Sequence, residues 1–179
     1  MTPLSPEFEK VLFTKEQIEE RIKVVAAEIS ERYKGKDLKL IGVLKGSVFF
    51  LTALAREITI PVKIDFLSIS SFTNLTRSKG LVRIAKDLDE GIEGEDVLIV
   101  EDIVDSGLTL RYLLQTLEGR GPNSLGIVTL LDRTERRLAQ VPVEFRCFEI
   151  PDRFVVGFGL DHKQHYRNLE YIAVMKLEK

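Results

Sequence analysis

The segment VLIVEDIVDSGLT, residues 97–109, determines the fold class that this sequence predicts. Its first four residues are apolar and predict a strand buried on both faces, because such strands show an unbroken apolar run rather than alternation. A turn containing Gly107 follows, and leucines from Leu110 to Leu117 then predict a helix. A buried strand, a glycine turn and a helix in succession are typical of a parallel α/β sheet.

Two acidic residues, Glu101 and Asp102, directly follow the apolar run. We therefore expect them at the carboxyl end of the strand, where ligands bind in open α/β sheets. The start of the next helix offers free backbone N–H groups to a phosphate, and Gly107 allows that phosphate to approach closely. The alternative is that the two acids are solvated loop residues and that Asp105 or Ser106 is an ordinary helix N-cap.

Length and composition limit the possible classes. A chain of 179 residues fits a single domain over residues 1–179. The net charge is -2, with 26 basic and 28 acidic residues well mixed, which argues against a nucleic-acid partner. No apolar run approaches the length of a membrane span, so no membrane partner is expected. The lone Cys147 is expected to be buried and reduced, which suits a cytoplasmic protein.

The remaining sequence alternates predicted strands and helices. Thr14 and Gln17 form a capping box at the start of a first amphipathic helix. A second helix is predicted over residues 47–57. The predicted strands outside the motif are residues 38–44, 62–70, 81–86, 124–131, 143–148, 154–156 and 171–175.

A second strand–turn–helix junction lies at Leu44-Lys45-Gly46-Ser47 and would present backbone donors to another anion. Taken alone, such a turn is usually only the start of a helix. Arg133 follows a further strand and is expected at the same edge of the sheet, although it could equally be a solvated loop charge like Arg136 and Arg137. Periodicity alone assigns the apolar residues from Phe154 to Asp161 to packing.

The polar residues 70–79 connect two predicted strands. This connection is longer than most hairpin loops and is typical of lids, while the alternative is a solvated hairpin loop.

Taken as a whole, the thirteen-residue segment 97–109 resembles the phosphoribosyl pyrophosphate (PRPP) binding motif of the type I phosphoribosyltransferases. The string VEDIVDSG is most similar to the hypoxanthine-guanine branch of that family. The resemblance extends from about Leu38 to Tyr171, with several motifs in the same order. It implies an α/β fold with a central, mainly parallel sheet flanked by helices, a small hood built from terminal segments, and a flexible catalytic loop. It also implies a homodimer or homotetramer.

The resemblance also implies site residues. Asp105 would be catalytic, as the acceptor of a proton from the purine. The residues that would bind PRPP and its 5′-phosphate are Glu101, Asp102, Asp105, Ser106, Gly107, Leu108 and Thr109. Those that would bind pyrophosphate are Leu44, Lys45, Gly46, Ser71 and Arg167. Those that would bind the purine are Arg133, Phe154, Val155 and Asp161, and those that would bind Mg²⁺ are Glu101, Asp102 and Asp161.

Four residues depart from the family pattern. Ser47 replaces the second glycine of a Leu-Lys-Gly-Gly loop, whose peptide before the lysine can be cis, and serine would be strained if the position needed a positive φ. Arg133 replaces a lysine that donates to O6 of the purine, and its planar fork makes the change non-conservative. Phe72 and Phe158 each replace a tyrosine.

The implied reaction transfers the 5-phosphoribosyl group of PRPP to N9 of a 6-oxopurine, hypoxanthine and also guanine. The products are the nucleoside monophosphate, IMP or GMP, and pyrophosphate. Alternatives are a transferase for another base such as xanthine, and a regulator of the same fold that senses PRPP or nucleotides while binding RNA or DNA. The mixed charge argues against the regulator. A phospho-acceptor receiver domain would not explain the second anion loop.

Overall fold

The computed structural model describes residues 6–71 and 82–176. Within these residues the chain forms a six-stranded sheet, a three-stranded sheet and three α-helices. The elements in chain order are β1 (Phe8–Phe13), α1 (Lys15–Arg32), β2 (Leu38–Leu44), α2 (Ser47–Glu57), β3 (Val62–Ser71), β4 (Val82–Lys86), β5 (Asp96–Val104), α3 (Leu108–Glu118), β6 (Ser124–Asp132), β7 (Phe145–Glu149), β8 (Val155–Val156) and β9 (Ile172–Met175).

The six-stranded sheet has the order β4-β3-β2-β5-β6-β7. All neighbouring strands are parallel except β3 and β4, which form an antiparallel pair. The carboxyl ends of β2, β5 and β6 therefore open onto the same edge of the sheet. This edge is where the sequence places its two anion loops and Arg133.

Helices cover both faces of this sheet. The apolar sides of α1 and α2 pack on the face that presents Leu98 and Val100 of β5. Helix α3 packs on the opposite face, against Val97 and Ile99. Because successive strand residues alternate between faces, the unbroken apolar run of β5 supplies both cores, as its sequence predicts.

A second, antiparallel sheet of order β1-β9-β8 forms the hood. Its small core contains Phe8, Val156 and Ala173. The sequence analysis predicted β8 and β9 but missed β1. The apolar Phe8 and the run from Val11 to Phe13, immediately before the cap of α1, could have indicated it.

The predicted elements are otherwise confirmed, with bounds that shift by one or two residues except at the end of β5, which runs four residues further. The capping box at Thr14 and Gln17 is present, and Cys147 is buried. No helix in residues 6–71 and 82–176 is long and apolar enough to cross a membrane.

One expectation about β5 is wrong. Glu101 and Asp102 were expected where the strand ends, but the parallel ladder with β6 continues past them to Val104. The two acids are therefore the sixth and seventh of nine strand residues, where sheet hydrogen bonds fix their backbone.

Gly42 in β2 sets how closely α2 approaches the sheet. A Cβ atom at this position would lie 2.8 Å from Cδ1 of Leu51 and 2.9 Å from Cδ1 of Phe66. We expect Gly42→Ala to lower the free energy of unfolding by about 1 to 3 kcal/mol, the usual cost of overpacking a core. Urea unfolding would measure it. Gly91→Ala is the matched control, because a Cβ at Gly91 meets nothing within 4 Å, and an equal loss in both variants would contradict the packing argument.

Candidate active site

The turn between β5 and α3 is built to receive an anion. Gly107 is the N-cap of α3 and has a φ of 78°, in the left-handed region that favours glycine. A Cβ at Gly107 would also lie 2.5 Å from the carbonyl oxygen of Ala139. The N-cap position is thus Gly107 rather than Asp105 or Ser106, while the Ser106 hydroxyl accepts a hydrogen bond from the Leu108 N–H at 3.4 Å. The first turn of α3 begins with Leu108 and Thr109, both exposed.

The second anion loop connects β2 to α2 and lies against β5. The peptide bond between Leu44 and Lys45 is cis. A Cβ at Gly46 would overlap the carboxylate of Asp102, so a larger residue here would displace that side chain. Lys45 is exposed and forms no ion pair within the described part of the chain.

Ser47 carries no strain in this loop. It begins α2, does not have a positive φ, and is fully buried. Its Oγ donates to the carbonyl oxygen of Val43 at 2.7 Å. The serine that departs from the family pattern therefore contributes a hydrogen bond and leaves the loop geometry intact.

The two acids of β5 are held in surroundings that disfavour their charge. Burial raises the pKa of the Glu101 carboxyl well above its ordinary value, and the charge of Asp102 raises it further. Burial also raises the pKa of Asp102, while its hydrogen bond from the Ile103 N–H and the charge of Arg167 oppose that rise. Glu101 is only 8% exposed, so the alternative of a solvated loop acid is wrong for it.

A cavity of about 290 Å³ lies between the sheet edge and the hood. It brings together all four residues predicted to bind a purine, with Asp102 and Asp105 beside them. Its lining consists of Asp102, Ile103, Asp105, Arg133, Arg136, Phe154, Val155, Leu160 and Asp161. Ile103, Arg136 and Leu160 were not expected at the site, because two apolar residues and an arginine in a loop look in sequence like packing and solvated charge.

Arg133 is a buried cation in the wall of this cavity, with 6% of its surface exposed. Its Nη1 lies 3.2 Å from Oδ2 of Asp105, and its Nη2 donates to the carbonyl oxygen of Arg153 at 2.5 Å. The alternative of a solvated loop charge is therefore wrong for Arg133. Arg136 is half exposed and pairs with Asp152 at 2.7 Å, and its Nη1 also lies 4.0 Å from Oδ2 of Asp105 at the cavity.

The segment Gly157-Phe158-Gly159 turns the hood back toward the second anion loop. All three residues have positive φ values, of 101°, 49° and 101°. A Cβ at Gly159 would overlap the carbonyl oxygen of Gly46. The side chain of Phe158 packs against the core shared by α1 and α2, so this position serves packing.

Arg167 links this turn to the acid that follows it. Its Nη2 lies 2.7 Å from Oδ1 of Asp161, and its Nη1 donates to the carbonyl oxygen of Gly159 at 2.7 Å. Ser71 ends β3, but its side chain and the predicted loop residues 72–79, including Phe72, lie outside the described residues.

The acids near the cavity fit a divalent cation that arrives with a substrate. Among the described residues, no three His, Cys, Asp or Glu side chains stand together as a complete metal site. Asp102 and Asp161 both line the cavity, and the charge of Asp161 raises the pKa of Asp102. Mg²⁺ is usually bound by one or two carboxylates plus substrate phosphates, and this pair matches that requirement.

Comparison with known families shows the family to which this chain belongs. The phosphoribosyl transferase domain model matches residues 11–163. The chain belongs to the phosphoribosyltransferase family. The hypoxanthine-guanine phosphoribosyltransferase of Mycobacterium avium is 47% identical, over 98% of this chain and 92% of that protein. The enzyme of the same name from Bacillus subtilis (strain 168) is 46% identical, over 95% of this chain and 94% of that protein.

Solved structures agree with this assignment. The crystal structure of a hypoxanthine phosphoribosyltransferase from Staphylococcus aureus superposes with a TM-score of 0.91 at 44% identity. The match covers 95% of this chain and 92% of that one. The predicted type I phosphoribosyltransferase fold, with its mainly parallel sheet, flanking helices and terminal hood, is confirmed.

Burial of Glu101 should make stability depend on pH. The folded phosphoribosyltransferase holds the Glu101 proton more tightly than the unfolded chain, so stability falls as pH rises above the ordinary carboxyl value of 4.5. Glu101→Gln removes this cost. We expect the variant to melt at least about 2 °C above the wild type at pH 8, with a smaller gain at pH 5.

Differential scanning calorimetry of the ligand-free protein at both pH values checks this, with Glu118→Gln, at an exposed position, as the control. A gain that is larger at pH 5 would contradict the assigned direction of the Glu101 pKa.

Proposed function

We propose that this phosphoribosyltransferase is a purine salvage enzyme that transfers the 5-phosphoribosyl group from PRPP to N9 of hypoxanthine, and also of guanine. The products are IMP or GMP and pyrophosphate. The observation that carries the proposal is the cavity beside the phosphate turn, in which Asp105, Arg133 and Phe154 converge. A 6-oxopurine needs a planar apolar surface on which its rings stack, a cation that donates to O6, and an acid that accepts its proton.

The phosphate turn supports the PRPP part of this proposal. Ser106, Gly107, Leu108 and Thr109 surround the start of α3, where backbone N–H groups and hydroxyls would hold the 5′-phosphate. Glu101 and Asp102 would accept hydrogen bonds from the ribose hydroxyls. Those hydrogen bonds would offset the cost of burying the two acids.

The opposite side of the ribose would face the leaving group. Breaking the bond at the anomeric carbon places positive charge on the ribose and negative charge on the departing pyrophosphate. Arg167 and the backbone N–H groups of the loop from Leu44 to Ser47 would bind that pyrophosphate, with Lys45 exposed beside it and Ser71 assigned to it by resemblance. Mg²⁺, held by Asp102 and Asp161 with Glu101 nearby, would neutralise charge on the pyrophosphate.

The base would be held by four residues of the cavity. Phe154, which is 38% exposed, offers a ring face for stacking, and Val155 offers backbone groups to the purine edge. Arg133 would donate to O6 of the purine, in the place of the family lysine. Asp105 would accept the proton from N7 as the bond to N9 forms.

The remaining parts of the proposal concern the whole protein. We propose a single domain over residues 1–179 that works as a homodimer or homotetramer in the cytoplasm, without a nucleic-acid or membrane partner. The buried, unpaired Cys147 supports a reducing compartment, and the mixed surface charge supports the absence of a nucleic-acid partner.

A panel of bases tests the function. The protein, PRPP and Mg²⁺ are mixed with hypoxanthine, guanine, xanthine or adenine, and pyrophosphate release and nucleotide formation are measured. We expect IMP and GMP to form. Turnover of xanthine alone would instead support the transferase for another base. PRPP binding without turnover of any base would support the regulator.

Asp105→Asn should slow the chemical step. The amide cannot accept the proton, so we expect kcat to fall by about a hundredfold or more, with little change in PRPP affinity. Single-turnover measurements and calorimetric titration of PRPP separate the two quantities. Asp152→Asn is the control: Asp152 is an acid of similar exposure that does not line the cavity, while its partner Arg136 stays charged in the variant. Unchanged kcat in Asp105→Asn would contradict the role of Asp105.

Arg133→Ala should weaken binding of the base more than binding of PRPP. Loss of a charged donor to O6 predicts a rise of at least about tenfold in KM for hypoxanthine, against about twofold for PRPP. Arg133→Lys should restore most of the base affinity. Arg153→Ala is the matched control. It removes a neighbouring arginine side chain but keeps the backbone carbonyl of Arg153, to which Arg133 donates. Equal effects on both substrates would remove Arg133 from the base site.

A further inference from the structure

The carbonyl group of Ser106 has an unusual pair of partners. It accepts hydrogen bonds from the backbone N–H of Leu138 at 2.9 Å and of Ala139 at 3.0 Å. Residues 137–139, here called the brace, follow the short 3-10 helix Thr134–Arg136 and run alongside the phosphate turn. The brace thus contacts the backbone of the turn itself, in addition to any contact between side chains.

These two hydrogen bonds fix the orientation of one peptide plane. In a trans peptide the C=O and N–H groups point in opposite directions. With the Ser106 carbonyl held toward the brace, the Gly107 N–H points away from it. Within the described part of the chain, that N–H donates to no other group. The brace therefore fixes the direction of the free Gly107 N–H at the N-cap of α3.

The brace is in turn anchored by a buried ion pair. The guanidinium of Arg137 contacts the carboxylate of Asp132, the last residue of β6. The two side chains are only 11% and 4% exposed. The Cδ atom of Arg137 would also lie 3.1 Å from a Cβ at Gly107, so this side chain packs directly beneath the turn.

We propose that Arg137 is a positioning residue for PRPP. Anchored on Asp132, it holds the brace against Ser106, and the brace orients the Gly107 N–H toward the 5′-phosphate. Without this anchor the peptide between Ser106 and Gly107 loses the restraint on its orientation. The inference rests on the proposed function, because it assigns the 5′-phosphate of PRPP to the turn at Gly107.

A positioning role for Arg137 and a purely structural role give different results in kinetics. A residue with a purely structural role would lower stability and affect both substrates alike. A residue that orients one phosphate-binding N–H would weaken PRPP and leave the base unchanged. The fold-change in KM for PRPP, compared with the fold-change in KM for hypoxanthine, therefore decides between the two roles.

The test compares three variants of the full chain by steady-state kinetics with hypoxanthine and PRPP. For Arg137→Ala we expect KM for PRPP to rise by about ten- to a hundredfold, because one hydrogen bond to a charged oxygen is lost. KM for hypoxanthine should stay within about twofold of the wild-type value. Arg137→Lys keeps one contact with Asp132 and should have an intermediate KM for PRPP. Arg146→Ala is the matched control: Arg146 also pairs with Asp132, at 3.3 Å, but lies outside the brace.

Two further measurements do not depend on turnover. Calorimetric titration of PRPP into each variant should reproduce the order of the KM values. Hydrogen exchange should show the Leu138 and Ala139 amides protected in the wild type and in Arg146→Ala, and less protected in Arg137→Ala. Should Arg137→Ala not fold, Arg137→Lys carries the same comparison.

Wild-type affinity for PRPP in a folded Arg137 variant, or equal losses for both substrates, would overturn the proposal. These outcomes are distinct from failure of the proposed function, in which the wild-type protein itself would release no pyrophosphate with any base.

Discussion

The site depends on a close contact between Gly46 and Gly159, in which neither residue has room for a Cβ atom. Gly46 of the second anion loop lies against the Asp102 carboxylate of β5 on one side and faces Gly159 of the hood on the other. Three parts of the chain, separated by more than fifty residues each, meet at this point. Gly46 and Gly159 meet through backbone atoms, which cannot move aside cheaply, and a side chain at Gly46 would also displace the Asp102 carboxylate. The spacing between the loop that connects β2 to α2 and the acids of β5 is therefore fixed by the fold.

The electrostatic arrangement favours ligand binding over the stability of the free protein. Glu101 and Asp102 are buried where their ionised forms are disfavoured. Arg133 is buried as well, and its pair with Asp105 satisfies only part of its guanidinium, since Nε has no hydrogen-bond partner among the described residues. Unfavourable burial of polar groups at one edge of the sheet is what a site for a charged sugar phosphate and a polar base requires.

Sequence reasoning predicted most of the fold because its signals are local. The apolar runs of β2 and β5, the capping box of α1 and the glycine at the start of α3 each report on their own surroundings. It missed β1, whose exposed residues interrupt the apolar pattern. It ended β5 too early, since an acid buried within a strand looks the same in sequence as an acid in solvent. The links between Arg133 and Asp105 and between Arg137 and Asp132 depend on how separate loops meet, which no local pattern encodes.

The hood joins segments from opposite ends of the sequence, and this sets an order of assembly during synthesis. The strands of the large sheet are complete once Glu149 has left the ribosome, but β1 finds its partner only when β9 emerges. Until then the wall that carries Phe154 and Val155 lacks the strand on which β8 lies. In a nascent chain the turn between β5 and α3 can therefore form before β8 and β1 are joined through β9, so the cavity between the sheet edge and the hood is the last part of the structure to close.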